Sequence, residues 1–229
     1  MMGPRTGRFH ENEVVDMPGH SIPMAALGGI ILVFGFLAQS AGKQGTISQP
    51  GDGVVIATAI TNTILSTAMA GASVLIFNKL LVDRQYSFLT CMNGSLTGTV
   101  AVCAGCNVYP SWAAALIGFI AGPVYIFGAK LLLKLQIDDP VAAVPVNGFG
   151  GILGLLCVPL LRGDGKGLLL TGSMESLRLL GLNIVGIFVI IAWTGVTTGI
   201  VFLVLKKFKM LRVDIEDEFQ VNFIISFMI

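Results

Sequence analysis

Three polar side chains stand inside stretches of sequence that are otherwise apolar: Gln39, Lys43 and Asn147. The two amides can hold a small polar solute by donating and accepting hydrogen bonds, but they do not titrate and so cannot relay a proton. Lys43 adds a positive charge. Gln39 and Lys43 are four residues apart, which puts them on one helical face at the mouth of an apolar segment. The bland alternative for Lys43 is an ammonium that snorkels to the membrane interface from a helix end.

Asn147 belongs to the stretch 138–154, where polar and small residues concentrate. Asp139 is a good N-cap acceptor, and Pro140 suits the first helical position because its missing N–H would have had no intrahelical partner. This pattern predicts a helix beginning at 139, with Asp138, Asp139 and Pro140 serving capping and packing. Asn147 then lies about two turns in, roughly 12 Å from the cap, and an amide at that depth needs a partner.

Soluble chemistry finds little support. The two histidines, His10 and His20, fall near the N-terminus, and no Ser/His/Asp, zinc or nucleic-acid pattern accompanies them. Cys91, Cys103, Cys106 and Cys157 all lie in apolar segments. Cys103 and Cys106 have Cys-x-x-Cys spacing, but without a second pair this is weak evidence for a metal. Gly163-Asp164-Gly165-Lys166-Gly167 follows no strand and precedes no suitable helix, so it is read as a turn and not as a phosphate loop. No enzyme, cofactor or nucleic-acid partner is expected.

The elements that must position these side chains are set by composition. Hydrophobic residues make up 54% and charged ones 12%, with a mean hydropathy of +0.84. That is far from the balance of a soluble domain and assigns an all-α polytopic membrane protein. Residues 21–42, 53–78, 85–129, 140–161 and 179–205 contain no Asp, Glu, Lys or Arg. A helix needs about 20 residues to cross a core about 30 Å thick, so the long window accommodates two spans broken near Asn107 to Ser111. Six membrane helices are predicted, at about 20–42, 53–78, 86–107, 111–135, 139–161 and 177–207. Residues 1–19 read as a tail or connector and 209–229 as a second tail. The latter carries Asp214, Glu216, Asp217 and Glu218, then a nine-residue apolar end too short to span.

Paired glycines suggest how the spans pack. Gly94/Gly98, Gly118/Gly122, Gly150/Gly154 and Gly195/Gly199 each have the small-xxx-small spacing that lets backbones approach closely in lipid. Thr61-Asn62-Thr63 offers hydroxyls that bond back to their own helix and an amide that bonds across helices. With both termini inside, Arg5, Arg8, Lys79, Arg84, Lys130, Lys134, Lys206, Lys207, Lys209 and Arg212 fall on the cytoplasmic side. Lys43, Arg162, Lys166 and Arg178 fall outside, a bias that favours cytoplasmic termini.

The order of motifs resembles the C-terminal half of the ammonium transporter family, related more distantly to the Rhesus glycoproteins. The stretch from Gly19-His20-Ser21-Ile22-Pro23-Met24 to Gly35-Phe36-Leu37-Ala38 resembles the family's sixth helix. Pro50-Gly51-Asp52-Gly53 with Thr61-Asn62-Thr63-Ile64-Leu65 resembles the seventh, and Asn93-Gly94-Ser95-Leu96-Thr97-Gly98 with Ala104-Gly105-Cys106 the eighth. Asp138-Asp139-Pro140-Val141, then Val146-Asn147-Gly148 and Gly150-Gly151, resemble the tenth. Leu211-Arg212-Val213 followed by acids is similar to the exit of the eleventh.

The resemblance implies ammonium or ammonia transport across a membrane, expected to be the plasma membrane. It implies a homotrimer whose protomers each hold eleven helices in two inverted five-helix repeats plus one, with a pore at the repeat interface. On that scheme this chain carries the second repeat and the last helix. Polar faces made to line the pore then require a partner, because unsatisfied groups in lipid cost several kcal/mol each. Two departures bear on the pore. Family members carry a pair of pore histidines, and Asn147 stands where the second would be. The family has Phe-Asn-Gly-Gly-Ser where this chain has Gln39, Ser40, Ala41, Gly42 and Lys43. A lysine there would repel ammonium by about 4 kcal/mol at 4 Å and an effective dielectric near 20. A non-conducting or regulatory member is therefore the alternative reading.

Overall fold

The computed structural model describes residues 2–10, 13–17, 19, 21–81, 86–213 and 218. His20, Arg84, the acids at 214, 216 and 217 and the apolar end 221–229 lie outside them. After a short hairpin of β1 (Phe9–His10) and β2 (Glu13–Val14), the chain is helical: α1 Ile22–Gly42, α2 Asp52–Leu81, α3 Phe88–Cys103, α4 Ser111–Lys134, a π-helical turn Val144–Phe149 running into α5 Gly150–Leu161, α6 Leu168–Thr171 and α7 Met174–Lys207.

Five helices are long and apolar enough to cross a membrane: α1, α2, α4, α7 and the continuous Val144–Leu161. The sixth apolar segment departs from the predicted 86–107. It forms a helix of 16 residues, ends at Cys103, and passes through turns to Pro110. Local chemistry sets several of the ends. Ser21 Oγ accepts from Met24 N–H, and Ser87 Oγ accepts from Thr90 N–H, both at 3.3 Å, satisfying first-turn donors that have no intrahelical partner. α4 and α7 close through left-handed residues, Gln136 (φ 55) and Lys209 (φ 56). Beyond them Ile137 N–H reaches Leu132 O at 2.9 Å, and Met210 N–H reaches Leu205 O at 3.0 Å. That is the bonding of a Schellman closure, accomplished without glycine.

The predicted start of the fifth membrane helix at 139 is corrected. Pro140 and Val141 form a turn, Ala142 takes φ 54, and helical structure begins at Ala143. Asp139 does cap it, accepting from Ala143 N–H at 2.9 Å and Val144 N–H at 2.7 Å. The proline in the first turn is Pro145 instead of Pro140. A carboxylate can reach amides four and five residues ahead only if the intervening chain folds back, so the cap pattern was real and the helix register was not.

The core is organised on α2, which α3 and α4 clasp from two sides. A Cβ at Gly98 would collide with Ala70 and the Ser66 carbonyl, and one at Gly118 with the Ser66 backbone. Gly94 and Gly122 meet Val74 and Ser73 in the same way one step along. Gly154 of α5 lies against the Ala101 carbonyl, and Gly150 against Thr97. Around these approaches sit small and medium side chains, with Ala101, Ala113, Ala114, Ile117 and Ala121 fully buried. α1 and α7 keep most of their apolar surface exposed.

The expected packing role of Gly195 and Gly199 is a second correction. Gly195 is exposed, with nothing within 4 Å of a Cβ placed there, and Gly199 one turn further on is only half-buried. The physical reason is the position of α7 at the edge of the bundle. It packs against α5 and α6, and its one buried residue is Ser176, near its N-terminal end and far along the helix from the glycine pair. Within this chain the pair therefore closes no helix interface.

Candidate functional site

Gln39 and Lys43 come together at the C-terminal end of α1. With Ser40, Gly42, Cys103 and Ala104 they line a cavity of about 490 Å³. The far wall is the end of α3, where the last carbonyls of a helix have no intrahelical donor and carry the negative end of its dipole. The Lys43 ammonium fills that role, donating to Cys103 O at 3.0 Å and to Ala104 O.

Beneath the cavity a seam of small polar side chains continues between α1, α2 and α3. Ser40 is buried, and its hydroxyl accepts from Thr63 Oγ1 at 2.9 Å and lies 3.9 Å from Cys103 Sγ. One turn along α2, Thr67 Oγ1 meets Thr99 Oγ1 at 2.7 Å. These hydroxyls also bond back to carbonyls four residues earlier: Thr63 to Ala59, Thr67 to Thr63 and Thr99 to Ser95. Such back-bonding lets hydroxyls sit in an apolar bundle without a partner helix.

Asn62, fully buried, holds the link between α3 and α4. Its amide nitrogen donates to Cys106 O at 2.9 Å and to Tyr109 O at 2.8 Å, pinning backbone that would otherwise be unpaired. Its Oδ1 has no hydrogen-bond partner among the described residues.

Asn147 opens elsewhere. It lines a cavity of about 290 Å³ between the start of α5 and α7, with Gly148, Gly151, Ile187 and Ile191 among its neighbours. The expectation that Gln39, Lys43 and Asn147 point to one side is thus met within this chain only for the first two. The cause is local. Asn147 sits in the π turn that opens the late-starting helix, and its amide donates back to Ala143 O at 3.2 Å. The partner its depth demands is its own helix.

At the opposite end of the bundle, Asp138 is gripped by the N-terminal stretch. Arg5 donates to it through N, Nε and Nη2 at 3.0, 2.7 and 2.9 Å, and Arg8 Nε lies 3.5 Å away. The Arg5 guanidinium holds the Asp138 carboxyl below the ordinary carboxylate range. Arg212 joins the same stretch to the segment after α7, donating to Pro4 O, Thr6 Oγ1 and Glu218. Thr6 N–H donates to Glu218 Oε1 at 2.8 Å, which with Arg212 holds that carboxyl low.

Sequence reasoning missed the Asp138 clasp and the Ser40 to Thr99 seam. The four-residue spacing of Thr63 and Thr67 was the available signal for the seam; nothing local could pair Arg5 with a carboxylate 133 residues away. Among the described residues no group of three or more His, Cys, Asp or Glu is placed to hold a metal.

Comparison with known proteins follows the same axis. The profile of the Ammonium Transporter Family matches residues 1–222. The chain is 37% identical over 232 residues to putative ammonium transporter 1 of Caenorhabditis elegans, covering 95% of this chain and 43% of that protein. It is 35% identical to ammonium transporter 1 member 4 of Arabidopsis thaliana, covering 94% and 47%. The chain spans about half the length of the curated relatives it matches. Among solved structures, a sensor Amt protein superimposes with a TM-score of 0.84 at 32% identity, over 94% of this chain and 52% of that one. Candida albicans Mep2 shares the fold, with a TM-score of 0.78 at 22% identity over 93% and 47%. Helices that fit a membrane, packed through glycines and carrying a polar seam, together with a profile match across nearly the whole sequence, place this chain in the ammonium transporter family.

Proposed function

We propose that this chain forms the second half of an ammonium or ammonia conduction unit, acting in a family assembly and not alone. The observation that carries the reading is the family match over residues 1–222, in register with every apolar segment. On this reading 1–19 is a cytoplasmic connector, 20–208 the membrane domain and 209–229 a cytoplasmic tail. α3 then crosses the membrane as a sixth, short span, and the set corresponds to one inverted repeat plus the last helix. The assembly is a homotrimer in the plasma membrane with both termini cytoplasmic. Gln39 and Lys43 lie at the outer mouth of the pathway and Asn147 on its inner wall, where the missing half closes it.

A second reading has its own observation. Lys43 places a positive charge at the mouth and engages its carbonyls, which opposes cation entry and favours a non-conducting or regulatory member. Expression in cells that lack their own ammonium uptake separates the two. The native chain and the variants Gln39→Phe, Lys43→Ser and Asn147→His are compared, each with and without a co-expressed first half from a relative. Growth rescue by the native chain with its complement supports conduction; rescue only by the substituted chains supports the second reading; rescue by none overturns the transport assignment.

A further inference from the structure

The mouth cavity contains something more specific than a repelling charge. The Lys43 side chain is itself an alkylammonium ion, and it is bound by neutral oxygens: the Cys103 carbonyl at 3.0 Å and the Ala104 carbonyl beside it. These are the terminal carbonyls of α3. Among the described residues neither receives a backbone N–H in the turns that follow, whose bonds run to Val102 O and Gly105 O. Ser40 and Gln39 complete the lining. The acid nearest in sequence, Asp52, is turned away, accepting from Gln44 Nε2 at 2.8 Å and Gln49 N–H at 2.9 Å. Carbonyl oxygens at a helix C-terminus, with no carboxylate among the lining residues, bind a small cation through N–H donors and dipole, and release it more readily than a salt bridge would.

We propose that the Cys103 and Ala104 carbonyls form a binding site for a small protonated amine, and that Lys43 is its tethered occupant. The chain carries a surrogate of the ligand on its own backbone. The inference rests on the transport reading for its biological sense but not for its chemistry. A ligand held on the same chain acts at an effective concentration on the order of mM, so a free ion of the same class competes only when it is more concentrated or when the tether is cut.

The test is equilibrium binding, not flux. The full chain in detergent is titrated with ammonium chloride, methylammonium chloride and, at matched ionic strength, sodium chloride, with calorimetry and thermal stabilisation as readouts. The comparison is among the native chain, Lys43→Ala, Lys43→Met, which keeps the apolar stem should the alanine variant fail to fold, and Lys43→Arg, which keeps a cation in place. The expected result is saturable binding of ammonium and methylammonium by Lys43→Ala and Lys43→Met, half-saturated at a concentration about tenfold or more below anything seen for the native chain or Lys43→Arg. Absence of binding in both neutral variants overturns the site and leaves Lys43 a helix cap. Equal affinity in native and neutral chains overturns the tether, and an equal response to sodium overturns the amine class. A neutral variant that binds ammonium while no variant rescues growth would sink the transport reading alone; rescue without any change in binding would sink only the tethered occupant.

Discussion

α2 and α4 have 39% and 44% of their apolar windows buried inside the chain, whereas α1 and α7 have 6% each, although all four are hydrophobic enough to span a membrane. Hydrophobicity therefore does not decide which helix lies at the centre. Lipid is as apolar as leucine, so the central position falls to helices that can approach closely or share hydrogen bonds. α2 presents Ser66, Ser73 and Val74 to glycines on both sides, and Ser66 Oγ donates to Gly98 O at 2.8 Å. α1 and α7 offer leucine, isoleucine and phenylalanine to their surroundings, and even the Gly195 position of α7 is open.

The sharpest way to break that contrast is to add the same side chain to both regions. Gly118→Val drives a branched side chain into the Ser66 backbone, which cannot swing aside as a side-chain tip would. A loss of about 3 kcal/mol or more is expected, since overpacking of a tight core costs roughly 1–3 kcal/mol and more where backbone must move. Gly195→Val meets nothing within 4 Å and should shift stability of the isolated chain by no more than about 0.5 kcal/mol. Denaturant unfolding in detergent, followed by far-UV circular dichroism, measures both; similar losses in the two variants would dissolve the distinction.

Next in size is Asn62→Leu. The substitution keeps bulk but strips two carbonyls, Cys106 O and Tyr109 O, of their donor inside the protein. Relief of the unpartnered Oδ1 offsets part of the cost. With about 1–3 kcal/mol for each buried group left unsatisfied, a net loss of about 2 kcal/mol is expected, along with faster hydrogen exchange in 104–110.

The clasp at the base tests the comparison from outside the bundle. Asp138→Asn removes the charge that Arg5 grips and should cost roughly 1.5 kcal/mol, in the range for hydrogen bonds to charged groups. Because the native carboxyl is held below its ordinary range, it binds fewer protons folded than unfolded around that range. The clasp is complete above the ordinary carboxylate pKa and is lost as pH falls through the lowered folded value. Hydrogen exchange at residues 3–8 should therefore stay slow down to the carboxylate range and accelerate below it in the native chain. It should be fast and without that pH step in Asp138→Asn. Unchanged protection in the variant would show that Arg212 alone holds the N-terminal stretch.

The same contrast separates what was legible in the sequence from what was not. Apolar runs free of charge located the long helices, because insulation from lipid is a property each segment carries alone. Gly94, Gly98, Gly118, Gly122, Gly150 and Gly154 are local signals too, and their neighbours in space explain their size. Gly195 and Gly199 carry the same spacing without the packing, because spacing tells that a helix can be approached closely and not that another helix does so. Where the reading slipped, the missing information was non-local or concerned register. Asp139 signalled a cap without telling how many residues would fold back before the helix began. Gln39, Lys43 and Asn147 share polarity, yet which wall each faces depends on the π turn and on α7. The Arg5 to Asp138 pairing joins the N-terminal stretch to the middle of the chain and has no local trace.

The smallest expected effect probes a side chain that ties α7 to α5 through a polar contact within the bundle. Pro159 lacks an N–H, so Leu155 O, four residues earlier, has no donor in its own helix. Asn183 supplies one from α7, its Nδ2 lying 2.7 Å from that carbonyl. The proline thus creates an acceptor that only a neighbouring helix can satisfy, and fixes where along α5 the otherwise slippery α7 must dock. Asn183→Leu should cost about 0.6 kcal/mol, the mean for interhelical hydrogen bonds in membrane bundles, a loss near the limit of detection. The double variant Asn183→Leu/Pro159→Ala should recover it, because alanine restores the intrahelical donor to Leu155. Recovery in the double-mutant cycle would assign the contact to the orphan carbonyl; strict additivity would mean that α7 is held by apolar contact alone.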